Sequence, residues 1–155
     1  MAALPPWDDL IAGKGCPFCG TRADDDGFNI RIADFSVSTL YLDRDQTYPF
    51  YSVLIFKKRH VTGLEQLTDV ENLAFAQDLK RAAQAISTAS GAPHMNYASL
   101  GNVIPHLHYH IIPRTPEDPR WGGPVWLTHL SDMKKKILPD DGYPALIEKI
   151  RAALK

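Results

Sequence analysis

In the segment His106-Leu107-His108-Tyr109-His110-Ile111-Ile112 an imidazole stands at every second position, with apolar residues between. A period of two belongs to a β-strand, whose successive side chains point to opposite faces. His106, His108 and His110 therefore share one face, while Leu107, Tyr109 and Ile111 pack behind them. Histidine has no special strand preference, so a core strand with incidental histidines gives no packing reason for three in strict alternation. The row is a chemical surface on a rigid scaffold. A neutral imidazole nitrogen is nucleophilic at physiological pH and can attack phosphorus, and the bond it forms is labile enough for water to break. Residues two apart on a strand are separated by about 6.6 Å, so the outer two can each reach a different part of a site centred on the middle one.

Around this strand the chain reads as alternating or β-branched runs at 28–32 and 37–42 and a more apolar run at 51–56, expected to be buried. Runs at 95–100 and 106–112, joined by a turn near Gly101-Asn102, complete five strands. Thr68 with Glu71 three residues later forms a capping box, and Gly91 supplies a stop, which predicts one long helix. Leu73, Ala76, Leu79, Ala83 and Ile86 recur along it at helical spacing and predict its core-facing stripe. A second helix is expected to start at Pro144 and to carry Leu146, Ile147, Ile150 and Leu154. Residues 1–15 and 113–124 look irregular, but neither reads as a linker. The order predicts an α+β fold, helices against an antiparallel sheet, in a single domain over 1–155 with a core at about 16–114 and a C-terminal extension at 115–155.

With 17 basic and 18 acidic residues the formal net charge is −1. Lys57-Lys58-Arg59 and Lys134-Lys135-Lys136 are the only dense basic clusters, and both suit a solvated surface, which argues against nucleic acid as a partner. Neither a signal-peptide core nor a membrane-length apolar run is evident, so a cytoplasmic protein is expected. The only cysteines, Cys16 and Cys19, form C-x-x-C. Such a pair can be half of a structural zinc site, a redox pair or two inert thiols; the βαβ pattern that accompanies thioredoxin-type redox motifs is missing. His94 and His129 lack partners in sequence and read as surface residues.

The pattern His, apolar, His, apolar, His, apolar, apolar resembles the signature of the histidine triad (HIT) superfamily, and the run from Asn96 to Arg114 looks like its bacterial members. The likeness reaches upstream through 51–60 and Asp43 to Cys16 and Cys19. It implies a HIT-like fold, and a nucleotide hydrolase acting at the α-phosphate of dinucleoside polyphosphates, nucleoside phosphoramidates or related conjugates. His108 is then the nucleophile, forming a nucleotidyl-histidine intermediate, with His110 stabilising charge on the phosphate or leaving oxygen and Asn102 near the leaving group. Asp43 matches the position that binds ribose hydroxyls, and Asn96 one that lines the phosphate site. For these three polar residues ordinary turn or strand-end chemistry is the alternative. Phe50-Tyr51 stands where many members have Gly-His; Tyr51 can still face the site, yet a phenol does not do an imidazole's proton chemistry near neutral pH. No cofactor enters the chemical step.

In the same family, and in the related galactose-1-phosphate uridylyltransferase, a histidine at the place of His60 binds zinc. The resemblance thus implies a structural Cys₂His₂ site of Cys16, Cys19, His60 and His106. It also implies a homodimer with one continuous sheet, in which 121–126 reaches towards the partner's pocket and Trp126 contributes to substrate binding; the alternative is that Trp121 and Trp126 cover their own chain's core. Beside the hydrolase stand a nucleotidyl transferase or phosphorylase, a nucleotide-binding protein with little turnover, and a zinc-dependent interaction module. The last is unattractive, because a metal cluster using all three triad histidines leaves Cys16, Cys19 and His60 without a fourth partner.

Overall fold

The triad strand lies inside a five-stranded antiparallel sheet. In a computed structural model describing residues 4–118, 120–126 and 134–155, the strands are β1 (Asn29–Asp34), β2 (Ser38–Asp43), β3 (Ser52–Phe56), β4 (His94–Ala98) and β5 (His108–Arg114), in the order β1-β2-β3-β5-β4. The register sets His110 opposite Val53 and His108 opposite Ile55, and Val53 opposite Tyr41 on β2. One face of the sheet therefore carries Tyr41, Asp43, Tyr51, His108 and His110. The other carries Leu40, Leu42, Leu54, Phe56 and Ile111, all fully buried beneath the helices.

Helix α2 (Asp69–Ser90) closes its first turn with the expected capping box between Thr68 and Glu71, and ends on Gly91 at φ 65°. Its buried residues are Phe75, Asp78, Ala82, Ala83, Ala85 and Ile86, so Ala83 and Ile86 of the expected stripe face the core, whereas Leu73 is 62% exposed. Of the expected stripe, Leu73 and Ala76 thus face outward, and Leu79 is only partly buried. The difference is confined to the first half of the helix, where Phe75 and Asp78 take the core positions instead. That carboxylate is buried because it accepts hydrogen bonds from the backbone of Ser36 and Val37 and from the Ser38 hydroxyl, at 3.3, 2.9 and 2.8 Å. Helix α3 (Gly142–Ala153) packs Tyr143, Ile147 and Ile150 against the same core. The N-terminal segment, expected to be irregular, contains a short helix α1 (Trp7–Ile11) anchored by the buried Leu10. Among the described residues no helix is long and apolar enough to cross a membrane.

Candidate functional site

His108 is almost fully buried, and its Nδ1–H donates to the backbone carbonyl of His106 at 2.6 Å. The proton on Nδ1 leaves Nε2 with a free lone pair, the state a nucleophile requires. Nε2 lies 3.1 Å from Nε2 of His110, and Nδ1 of His110 lies 2.6 Å from the Tyr51 hydroxyl. One assignment of protons satisfies all three contacts. Tyr51 O–H donates to His110 Nδ1, His110 Nε2–H donates to His108 Nε2, and His108 Nδ1–H donates to the strand. Burial supports it. Desolvation lowers the pKa of His108 and takes that of His110 down to about 3, so both rings are neutral, and it raises the Tyr51 phenol well above its usual value.

Tyr51 owes its position to a sharp bend. Phe50 has φ 67°, the one positive φ among described non-glycine residues. A side chain in the left-handed region costs roughly 1–2 kcal/mol. The buried Gln46 holds the bend: its Oε1 accepts from Phe50 N–H at 2.7 Å, while its Nε2 donates to the carbonyls of Asp43 and Tyr51 at 2.6 and 3.2 Å. Asp43 sits at the opposite end of this loop, accepting from Asp45 N–H at 2.7 Å and from the Asn29 amide at 3.4 Å. Burial pushes its carboxyl up to about 6.

Behind the triad, Cys16, Cys19, His60 and His106 bring their ligand atoms within 4.8 Å of one another. His106 Nδ1 is 3.5 Å from each sulfur, and His60 Nδ1 is 3.4 Å from Cys19 Sγ. The sulfur-to-nitrogen edge of a tetrahedral zinc site, built from bonds of about 2.3 and 2.0 Å, is about 3.5 Å, so this donor set fits the metal. The ring orientations fit as well. His106 Nε2 faces the Phe56 carbonyl at 2.7 Å and His60 Nε2 the Ile11 carbonyl at 3.1 Å, so each Nε2–H is engaged and each Nδ1 lone pair turns to the sulfurs. Gly13, at φ 79°, lets the chain pass over His60; a Cβ there would stand 3.0 Å from the ring.

The triad opens into a cavity of about 350 Å³ lined by Phe18, Asn102, His108, His110 and Trp126. Phe18, inside the Cys16–Cys19 loop, stands edge-on to His108 at 5.3 Å, and Trp126 packs on His110 of its own chain at 5.0 Å. Asn102 is exposed at the mouth. Asn96 is not brought to this cavity: its side-chain oxygen accepts from Arg114, two residues further along the face. Arg114 is a buried clamp that also pairs with Asp118 and donates to Gly123 O at 3.0 Å, so it ties Asp118 and Gly123, which precede Trp126, to the sheet. Exposed His94 meets Trp121, with ring centroids 6.4 Å apart, and His129 lies outside the described residues. Phe18, Gln46 and Arg114 were missed by sequence reasoning. Only Arg114 left a signal, an Arg at a strand end with Asp at i+4.

A family model described as the HIT domain matches residues 29–117, more than half of the chain; Cys16, Cys19 and Trp126 lie outside it. The chain is similar in fold to a histidine triad protein from Sinorhizobium meliloti, with a TM-score of 0.76 and 23% identity, over 90% of this chain and 99% of that one. A histidine triad protein from Bradyrhizobium japonicum gives 0.77 and 23%, over 88% and 98%. A Zn-bound histidine triad family protein from Mycobacterium smegmatis gives 0.58 and 18%, over 94% and 88%. No curated protein matches the chain.

Proposed function

Because this chain belongs to the histidine triad (HIT) family, we propose that it is a nucleotide hydrolase that opens the α-phosphate bond of a dinucleoside polyphosphate, a nucleoside phosphoramidate or a related conjugate. The carrying observation is the fixed tautomer of His108, whose Nε2 lone pair faces the cavity. In the free protein that lone pair accepts from His110. An arriving phosphate oxygen takes over the His110 Nε2–H, which frees His108 to attack phosphorus and expel the leaving group past Asn102. Tyr51 keeps the His110 proton on Nε2, so His110 acts as a neutral donor to developing charge. A panel of dinucleoside polyphosphates, phosphoramidates and nucleotide sugars, assayed with wild type and His108→Asn, tests the reading; no His108-dependent turnover of any of them overturns it.

A second reading, transfer to an anionic acceptor such as phosphate, gains support from the electrostatics. His110 is a weak base at a pKa of about 3, and burial keeps the Tyr51 phenol protonated, so neither readily takes a proton from water. An acceptor that is already anionic needs no such help. Adding phosphate to the panel and identifying the nucleotide product separates the two.

Asp43 is proposed to accept from ribose hydroxyls. With its carboxyl at about 6, it is ionised above that pH and protonated below. Nucleotide affinity of the wild type is therefore expected to fall as pH drops through 6. Asp43→Asn should bind roughly tenfold more weakly above pH 7 and show no such step. Binding titrations from pH 5 to 8 check this, and an unchanged step in the variant contradicts it.

Zinc is proposed at Cys16, Cys19, His60 and His106, where it would tie the N-terminal segment and Phe18 to the catalytic strand; it has no part in the chemical step. We propose also that a second copy of the chain pairs with β4. That strand is an open sheet edge, and its own Tyr97 exposes 49% of its surface. Sedimentation at micromolar concentration should give a dimer, and Tyr97→Asp should weaken it by at least roughly tenfold. Trp126→Ala should alter association or substrate preference without unfolding the chain. A monomeric, fully active wild type rules the dimer out.

A further inference from the structure

The loop that follows Asp43 is held by residues far along the chain. Residues 134–155 lie beyond the 29–117 matched by the family model, yet the stretch 134–138 runs beside the loop 44–47. Ile137 bridges Asp45 in antiparallel fashion, and Gln46 N–H donates to the Lys136 carbonyl at 2.8 Å. Tyr143, at the start of α3, fastens the far end. Its hydroxyl donates to the Arg44 carbonyl at 2.9 Å and accepts from Leu138 N–H at 3.0 Å.

Asp45 and Thr47 form the clasp between the two segments. Oδ1 of Asp45 accepts from Thr47 N–H at 3.0 Å, from the Thr47 hydroxyl at 2.6 Å and from Lys136 N–H at 3.1 Å. The same Lys136 N–H lies 3.1 Å from the Thr47 hydroxyl oxygen. A carboxylate that takes three donors is held in one orientation, and its backbone with it. That backbone N–H is the group that donates to Oδ1 of Asp43 at 2.7 Å. Oδ2 of Asp43 takes only the 3.4 Å bond from the Asn29 amide among the described residues, which leaves it as the oxygen to accept from a ribose hydroxyl.

The charges follow the same layout. Around the Asp43 carboxyl stand Asp45 on its own loop, Lys135 from the stretch 134–138, the uncharged amide of Asn29 from β1, and the protonated phenol of Tyr51 at the bend. The Asp45 charge disfavours ionisation of Asp43, and the Lys135 charge favours it.

We propose that Asp45 and Thr47 are positioning residues for nucleotide binding: they clasp the C-terminal extension onto the loop after Asp43 and so aim the Asp43 carboxylate at the ribose. The proposal rests on the reading of Asp43 as the ribose acceptor.

Binding titrations of the intact chain with adenosine and guanosine 5′-monophosphates from pH 5 to 8 are the experiment. Thr47→Val, which removes the hydroxyl and no charge, should weaken binding of the better nucleotide roughly fivefold above pH 7, and Thr47→Ser should restore it. In an Asp43→Asn background Thr47→Val should cost less than about twofold, because it acts through the carboxylate. Asp45→Asn keeps an acceptor oxygen without its charge, so the step near pH 6 should move down by roughly half a unit; Lys135→Gln should move it up. An equal loss from Thr47→Val with and without the Asp43 carboxylate means a merely structural role and overturns the proposal, as does unchanged affinity in Thr47→Val or a step that neither charge variant moves. In each of those cases a weakened Asp43→Asn leaves the ribose reading intact. An Asp43→Asn variant that binds as tightly as wild type overturns the ribose reading and the proposal together, and so does failure of both nucleotides to bind. Circular dichroism checks that Thr47→Val folds; if it does not, the opposite shifts of Asp45→Asn and Lys135→Gln decide.

Discussion

His108→Asn is expected to lower turnover by roughly 10⁴-fold or more while nucleotide binding survives. Loss of a nucleophile removes the covalent path, whereas the remaining contacts hold the ground state. Asparagine keeps a donor that can bond the His106 carbonyl, so the strand and its neighbours should stay in place. Single-turnover kinetics alongside equilibrium binding separate the two effects. A variant within tenfold of wild type would mean that His108 is not the attacking group.

Cys16→Ser and His60→Ala are each expected to lose about one zinc per chain and to lower Tm by roughly 10 °C or more. Metal-binding free energy is folding free energy where the site is absent from the unfolded chain, and for a chain of this size each kcal/mol lost lowers Tm by about 2–4 °C. Burial with Cys16 alongside pushes the Cys19 thiol up to about 11, so without a cation this thiol stays protonated; a metal must displace its proton, and zinc retention should weaken as pH falls. Because Phe18 sits in the Cys16–Cys19 loop against His108, metal loss should also loosen the wall of the cavity. Metal analysis of chelator-free protein with reduced thiols, followed by thermal melts, reads both effects. Zinc-free protein as stable as the preparation loaded with zinc would remove the idea.

What could be read in the sequence was what local chemistry dictates. Alternation placed His108 and His110 on one strand face, although β5 begins at His108 and leaves His106 just ahead of the strand, at the metal-ligand cluster; Thr68, Glu71 and Gly91 bounded the long helix, because periodicity and caps depend on neighbours in the chain. The second half of the helix stripe, Ala83 and Ile86, was legible, but its first half was misplaced because Asp78 looks polar in sequence, and only its bonds to residues 36–38, some forty positions away, make it a core residue. The site divides in the same way. His60 and His106 were legible as partners of the cysteines through resemblance. By contrast, the carbonyl that fixes the His108 tautomer, the Gln46 clamp, the Phe50 bend and the clasp of Asp45 and Thr47 on Lys136 arise from backbone geometry and long-range packing. Asn96 shows the converse. Its place in the chain suggested the phosphate site, and a neighbour distant in sequence, Arg114, occupies its oxygen.

The central claim is a covalent nucleotidyl group on His108, and trapping it is the most direct measurement. Wild-type protein mixed with a turned-over substrate, quenched within milliseconds in alkali and analysed by intact mass and peptide mapping, should carry one nucleotidyl group on the peptide containing His106, His108 and His110. The bond should be labile to acid, and the group should be absent from His108→Asn. Turnover with no adduct at any quench time, or an adduct mapped to a residue other than His108, would contradict the account.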